Sequence, residues 1–153
     1  MLVIAITYHS KPLVMDIKKF ITGTIVAGVL SFLLGWLIYG MLLASYFQKH
    51  TGKIGSVDRP EPEMLYLALG NLFYGALVAY IIIRAGVKTV AGGFITGATI
   101  GFLISVSMNC MMYGLTYITS KHAMLADVIA SVIMVGIVGA VTALVTAGKP
   151  AAA

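Results

Sequence analysis

Four long stretches of this chain carry almost no charge, and that limits more than any other feature what it can fold into. Phe20 to Phe47 holds no charged residue, and Met64 to Ile83 holds none before Arg84. Val90 to Ile118 and Met124 to Thr146 share a single ionisable acid, Asp127. A hydrocarbon core about 30 Å thick is crossed by about 20 helical residues, so each run is long enough to span. Strands of a membrane barrel would alternate polar and apolar residues over short segments, whereas these runs are continuous. The expected fold is therefore all-α: a polytopic membrane protein with four transmembrane helices over about residues 20–47, 64–83, 90–118 and 124–146. Together they make one domain, residues 20–147.

Composition agrees with that reading. Hydrophobic residues make up 60% of the 153 and charged residues 10%, with a mean hydropathy of +1.02. A water-soluble domain carries about 25% charged residues, so this chain needs the lipid bilayer as part of its solvent. The net charge of +5 does not point to nucleic acid. Its basic residues stand singly or in pairs at the ends of the apolar runs, not on one continuous basic surface. The single cysteine, Cys110, excludes an intrachain disulfide and any multi-cysteine metal site.

The flanking charges set an expected orientation. Lys11, Lys18, Lys19, Arg84, Lys88 and Lys149 fall on the side of the termini, against Lys49, Lys53, Arg59 and Lys121 on the other. The excess places both termini in the cytoplasm. Residues 1–19 form an N-terminal cytoplasmic segment in which Met15 has the character of a natural start, and residues 148–153 read as a disordered tail. Between the first two spans, Asp58-Arg59-Pro60-Glu61-Pro62-Glu63 reads as a stiff connector, since each proline disfavours helix before it.

The first and third spans look related. Phe20-Ile21-Thr22-Gly23 recurs as Phe94-Ile95-Thr96-Gly97, Ser31 as Ser105, and Tyr39-Gly40 as Tyr113-Gly114, all at one offset of 74 residues. The second and fourth align more weakly, Leu72-Phe73-Tyr74-Gly75 against Ile133-Met134-Val135-Gly136. The expectation is a tandem duplication of a helical hairpin, a parallel repeat and not the inverted repeat of many transporters.

Polar groups within the spans are sparse, and they are the candidate site. Asn71 and Asn109 must satisfy their amides against another helix or a wet cavity. Asp127, about one turn into the fourth span, either reaches the interface, caps its helix, or serves an ion site. With Tyr74, Tyr113 and Ser105 these residues could line a polar cluster. Gly93, Gly97, Gly101 and Gly136 offer close helix packing, within the chain or between chains. Trp36 and Tyr39 belong to an interfacial aromatic belt or pack inside the bundle. Met108-Asn109-Cys110-Met111-Met112 contains soft donors, but methionine commonly fills gaps in apolar packing, so no metal and no cofactor is expected. No phosphate loop, metalloprotease motif or dinucleotide fingerprint occurs.

The run Ala27-Gly28 through Phe32, Gly35, Trp36, Tyr39 and Gly40, with Leu69-Gly70-Asn71 and Tyr113-Gly114, resembles a group of small four-span bacterial membrane proteins classed as domain of unknown function 1761. The resemblance implies the four-span architecture and a bacterial inner membrane, and no activity. The leading expectation is a non-enzymatic structural or accessory subunit that forms a homo-oligomer or joins a larger membrane complex. The alternative is a small channel or transporter with a polar path between the helices.

Overall fold

A computed structural model describes residues 15–52, 59 and 61–147. The expectations for the N-terminal segment before Met15, for most of the proline-containing connector and for the tail lie outside the described residues. Within them the chain is helical and has no strand. Helix α1 (Ile17–Gly35) continues as a π-helical segment, Trp36–Leu42. A short helix α2 (Ala44–Lys49) follows, then α3 (Met64–Arg84), α4 (Val90–Leu115) and α5 (Lys121–Thr146). Four helices are long and apolar enough to cross a membrane: Ile17–Leu42, Met64–Arg84, Val90–Leu115 and Lys121–Thr146.

The helix ends follow from local chemistry. Asp16 caps α1 by accepting hydrogen bonds from the Lys18 and Lys19 amides. Thr89 caps α4 through the Gly92 amide, and Ser120 caps α5 through the Ala123 amide. Each supplies an acceptor to a helix N-terminus that has spare donors. The helix limits differ by a few residues from the approximate spans expected. The first long helix stops at Leu42, and Leu43 (φ −106°, ψ 0°) separates it from α2. The third ends at Leu115, where Thr116 turns extended, and the fourth starts at Lys121. Asp127 is therefore no cap; it stands in the second turn of α5.

The helices pack as two antiparallel pairs, α1 with α3 and α4 with α5, and α5 also lies against α1 and α3. Glycine sets the separation within both pairs. A Cβ on Gly97 would fall on the Val135 carbonyl oxygen, and one on Gly101 would lie 2.6 Å from the Ser131 carbonyl oxygen. At the other crossing, a Cβ on Gly75 would collide with the Gly28 backbone. Backbones this close gain dispersion contacts that larger residues would prevent. The core of Ala27, Val78, Ile82, Ile100, Val135, Val138 and Ala143 fills the middle. By contrast α3 and α4 touch at few points, which leaves a gap along one side of the bundle.

Candidate functional site

Helix α5 carries Asp127 and Ser131 one turn apart, and α4 carries Ser105 and Asn109 at the same spacing. Residues four apart share a helix face. Asn109 and Asp127 stand nine residues either side of Ile118, and Ser105 and Ser131 thirteen. In an antiparallel pair turning at that point, the two polar pairs are level. The structure joins them: the Ser105 hydroxyl and the Asn109 amide both donate to Asp127 Oδ2, each at 2.5 Å. Asn109 also donates to the Ser105 carbonyl oxygen at 2.9 Å.

The other carboxylate oxygen belongs to α1. The Tyr39 hydroxyl donates to Asp127 Oδ1 at 2.8 Å. Ser131 Oγ lies 3.1 Å from the same phenol oxygen and, with the phenol proton committed to the carboxylate, donates to it. Tyr39 occupies the middle of the π-helical segment, whose wider turn is marked by the Leu43 amide bonding the Ile38 carbonyl oxygen five residues back. Such turns occur mostly as single insertions and often at functional positions. Asp127 thus gathers three donors from two other helices, about 9 Å along α5 from Lys121.

Of the residues singled out from sequence, Asn109, Asp127 and Ser105 meet directly. Tyr74 and Asn71 lie across a hollow of about 400 Å³ that Asp127 and Ser131 also line. Asn71 spends one amide hydrogen on its own helix, at the Leu67 carbonyl oxygen 2.8 Å away. Tyr113 is elsewhere, exposed on α4 with the Lys121 amine 6.0 Å from its ring centre. Ser131 was not among the singled-out residues, and Tyr39 only as an aromatic of the interfacial belt or the bundle interior, not of the polar cluster. The π-helical turn that aims Tyr39 inward has no sequence mark, whereas Ser131 could have been found from its mirror position to Ser105.

The hollow does not stand alone. A second space of about 440 Å³ adjoins it at Leu67, Asn71 and Met134 and reaches Ser31, Gly35 and Trp36 on α1. A third, of about 700 Å³, begins at Tyr39 and Leu67 and runs to Arg59 and Glu63, which form an exposed ion pair at 3.2 Å. The wall holds an unusual group: Ser31 is fully buried and its hydroxyl has no hydrogen-bond partner. Beyond the site, the Ser120 hydroxyl donates to the His50 carbonyl oxygen at 2.6 Å and the Gly52 amide to that of Ile118 at 2.9 Å. These bonds bring the His50 and His122 rings, distant in sequence, to 5.6 Å.

Comparison of the chain with protein-family models, with curated proteins and with solved structures gives no match.

Proposed function

We propose that this protein is a small, non-enzymatic membrane protein that binds a positively charged solute between its helices, as a carrier or channel does, with Asp127 as the counter-charge. One observation carries the reading: the only carboxylate within the described spans sits beside an open hollow, and both of its oxygens are held by donors. An acidic side chain inside a bilayer is costly, and such residues are most often kept for ions, protons or ligands. If the group served only to tie helices together, an asparagine or serine could do so at lower cost. Tyr39, Ser105 and Asn109 fix the carboxylate's position, so it need not reorganise when a cation arrives.

The expectation of a structural subunit drew on small-residue surfaces available for association. Gly93, Gly97, Gly101 and Gly136 all make close approaches inside this one chain. They therefore do not call for a second copy, and the polar site gains weight against them.

The test is binding by the purified protein in detergent, with rubidium, choline and tetraphenylphosphonium as probes. At least one should bind, and Asp127→Asn should weaken that binding by about ten-fold or more, the scale set by losing a desolvated charge partner. If no probe binds the unaltered protein, or the variant binds equally well, the carboxylate is only a helix clasp and the proposal fails.

A further inference from the structure

The hollow beside Asp127 opens where two helices fail to meet. Its walls come from α3 on one side and α4 and α5 on the other, and α3 touches α4 at few points. The gap therefore faces the side of the bundle, where hydrocarbon lies. Gly70 stands on its α3 wall, and a Cβ there would have nothing within 4 Å. Glycine costs about 1 kcal/mol in a helix interior, and Gly70 recovers none of it through close packing, unlike Gly75 five residues along. Its effect is to keep the gap wide.

Aligned as the repeat expected from sequence, the two hairpins differ beside this space. At the 74-residue offset Gly35 corresponds to Asn109, and at the 61-residue offset of the weaker alignment Gly70 corresponds to Ser131. Gly35, like Gly70, has open space where a Cβ would be. Two polar side chains of the second hairpin, Asn109 and Ser131, thus have glycine as their counterparts in the first, and both glycines line the cavity system.

Its lining also limits the ligand. Asp127 is the only charged group in the walls; beside it stand a few neutral polar groups, Asn71, Ser105, Ser131 and Ser31, and the rest is aromatic and aliphatic, including Tyr66, Tyr74, Trp36 and Met134. A bare metal cation would want several oxygen ligands, and both oxygens of the one carboxylate already accept hydrogen bonds from Tyr39, Ser105 and Asn109. An ammonium or phosphonium with an apolar body fits better: the carboxylate meets the charge, ring faces attract it, and the combined space is in the range that holds a drug-sized molecule.

We propose that the ligand is a lipophilic organic cation that enters sideways from the bilayer through the α3–α4 gap, past Gly70, to place its charge at Asp127. This rests on the reading of Asp127 as a counter-charge, and the experiment separates the two. Tetraphenylphosphonium, which partitions into lipid, and choline, which does not, are offered to the protein in lipid nanodiscs. Three forms are compared: unaltered, Gly70→Trp and Asp127→Asn. The expected result is that tetraphenylphosphonium binds and choline does not. Gly70→Trp should slow its association by about ten-fold with the thermal midpoint unchanged, and Asp127→Asn should abolish binding. If Gly70→Trp associates as fast as the unaltered protein while Asp127→Asn is silent, lateral entry is wrong and the counter-charge stands. If choline binds as well as tetraphenylphosphonium, the ligand class is wrong. If Asp127→Asn binds normally, both proposals fall. If Gly70→Trp changes the particle mass, the gap is a contact between copies and the entry route is overturned. Gly70→Leu, with a smaller side chain, guards against misfolding and should give an intermediate rate.

Discussion

Asp127 and Ser31 are opposite cases of a polar group within a membrane span. Asp127 accepts three hydrogen bonds, so removing a donor should cost stability. Tyr39→Phe keeps the ring and loses its bonds to Asp127 and Ser131, and should destabilise the bundle by about 0.6 to 2 kcal/mol. Ser31 is buried with no partner, and an unsatisfied buried hydroxyl itself carries a penalty of about 1 to 3 kcal/mol. Ser31→Ala should therefore leave the thermal midpoint unchanged or raise it. Thermal unfolding in detergent, followed by helical circular dichroism, reads both. A fall in midpoint for Ser31→Ala would mean that its hydroxyl is bonded in the membrane, by water or by ligand. The sequence made Asp127, Ser105 and Asn109 visible because ionisable and amide groups stand out against apolar runs. Tyr39 stood out only as an aromatic of the interfacial belt or the bundle interior, because nothing in Trp36-Leu37-Ile38-Tyr39 announces the π-helical turn that brings it to Asp127.

At the scale of the elements, glycine acts in two distinct ways that the sequence alone does not separate. Gly97 and Gly101 hold α4 against the α5 backbone, while Gly35, Gly70 and Gly114 have open space around the missing Cβ. Gly97→Val should force α4 from α5, with a loss in the range of about 1 to 3 kcal/mol typical of overpacking. Gly114→Ala should be neutral or slightly stabilising, since alanine is the better helix former by about 1 kcal/mol. Comparing their thermal midpoints tests the assignment, and equal effects would refute it. Helix number and approximate limits were legible because lipid demands long apolar runs. The break at Leu43 was not, since the apolar run from Phe20 to Phe47 passes through it without interruption. The four-residue spacing did mark Gly93, Gly97, Gly101 and Gly136, which all make close approaches, but it does not say what lies opposite.

At the scale of the whole molecule, orientation decides which compartment the cavity system meets. The end where α1 starts and α5 finishes carries Lys18, Lys19, Arg84 and Lys88 among the described residues, and the opposite end carries Lys49, Arg59 and Lys121. From that excess of basic residues we propose that the first end lies in the cytoplasm. The space bounded by Arg59 and Glu63 then opens away from the cytoplasm, and Asp127 lies on that side of the membrane's middle. Cys110 allows a direct check, because it is the only thiol in the chain and is exposed on the α4 surface within a span. It should react with an apolar maleimide that dissolves in lipid and resist a charged one, since the charged reagent does not enter hydrocarbon. With Cys110 changed to alanine, Ser56→Cys should be labelled by the charged reagent in intact cells, and Lys88→Cys only after permeabilisation. The reverse pattern would turn the cavity toward the cytoplasm, so that any cation held at Asp127 would exchange with the inner compartment and not the outer one.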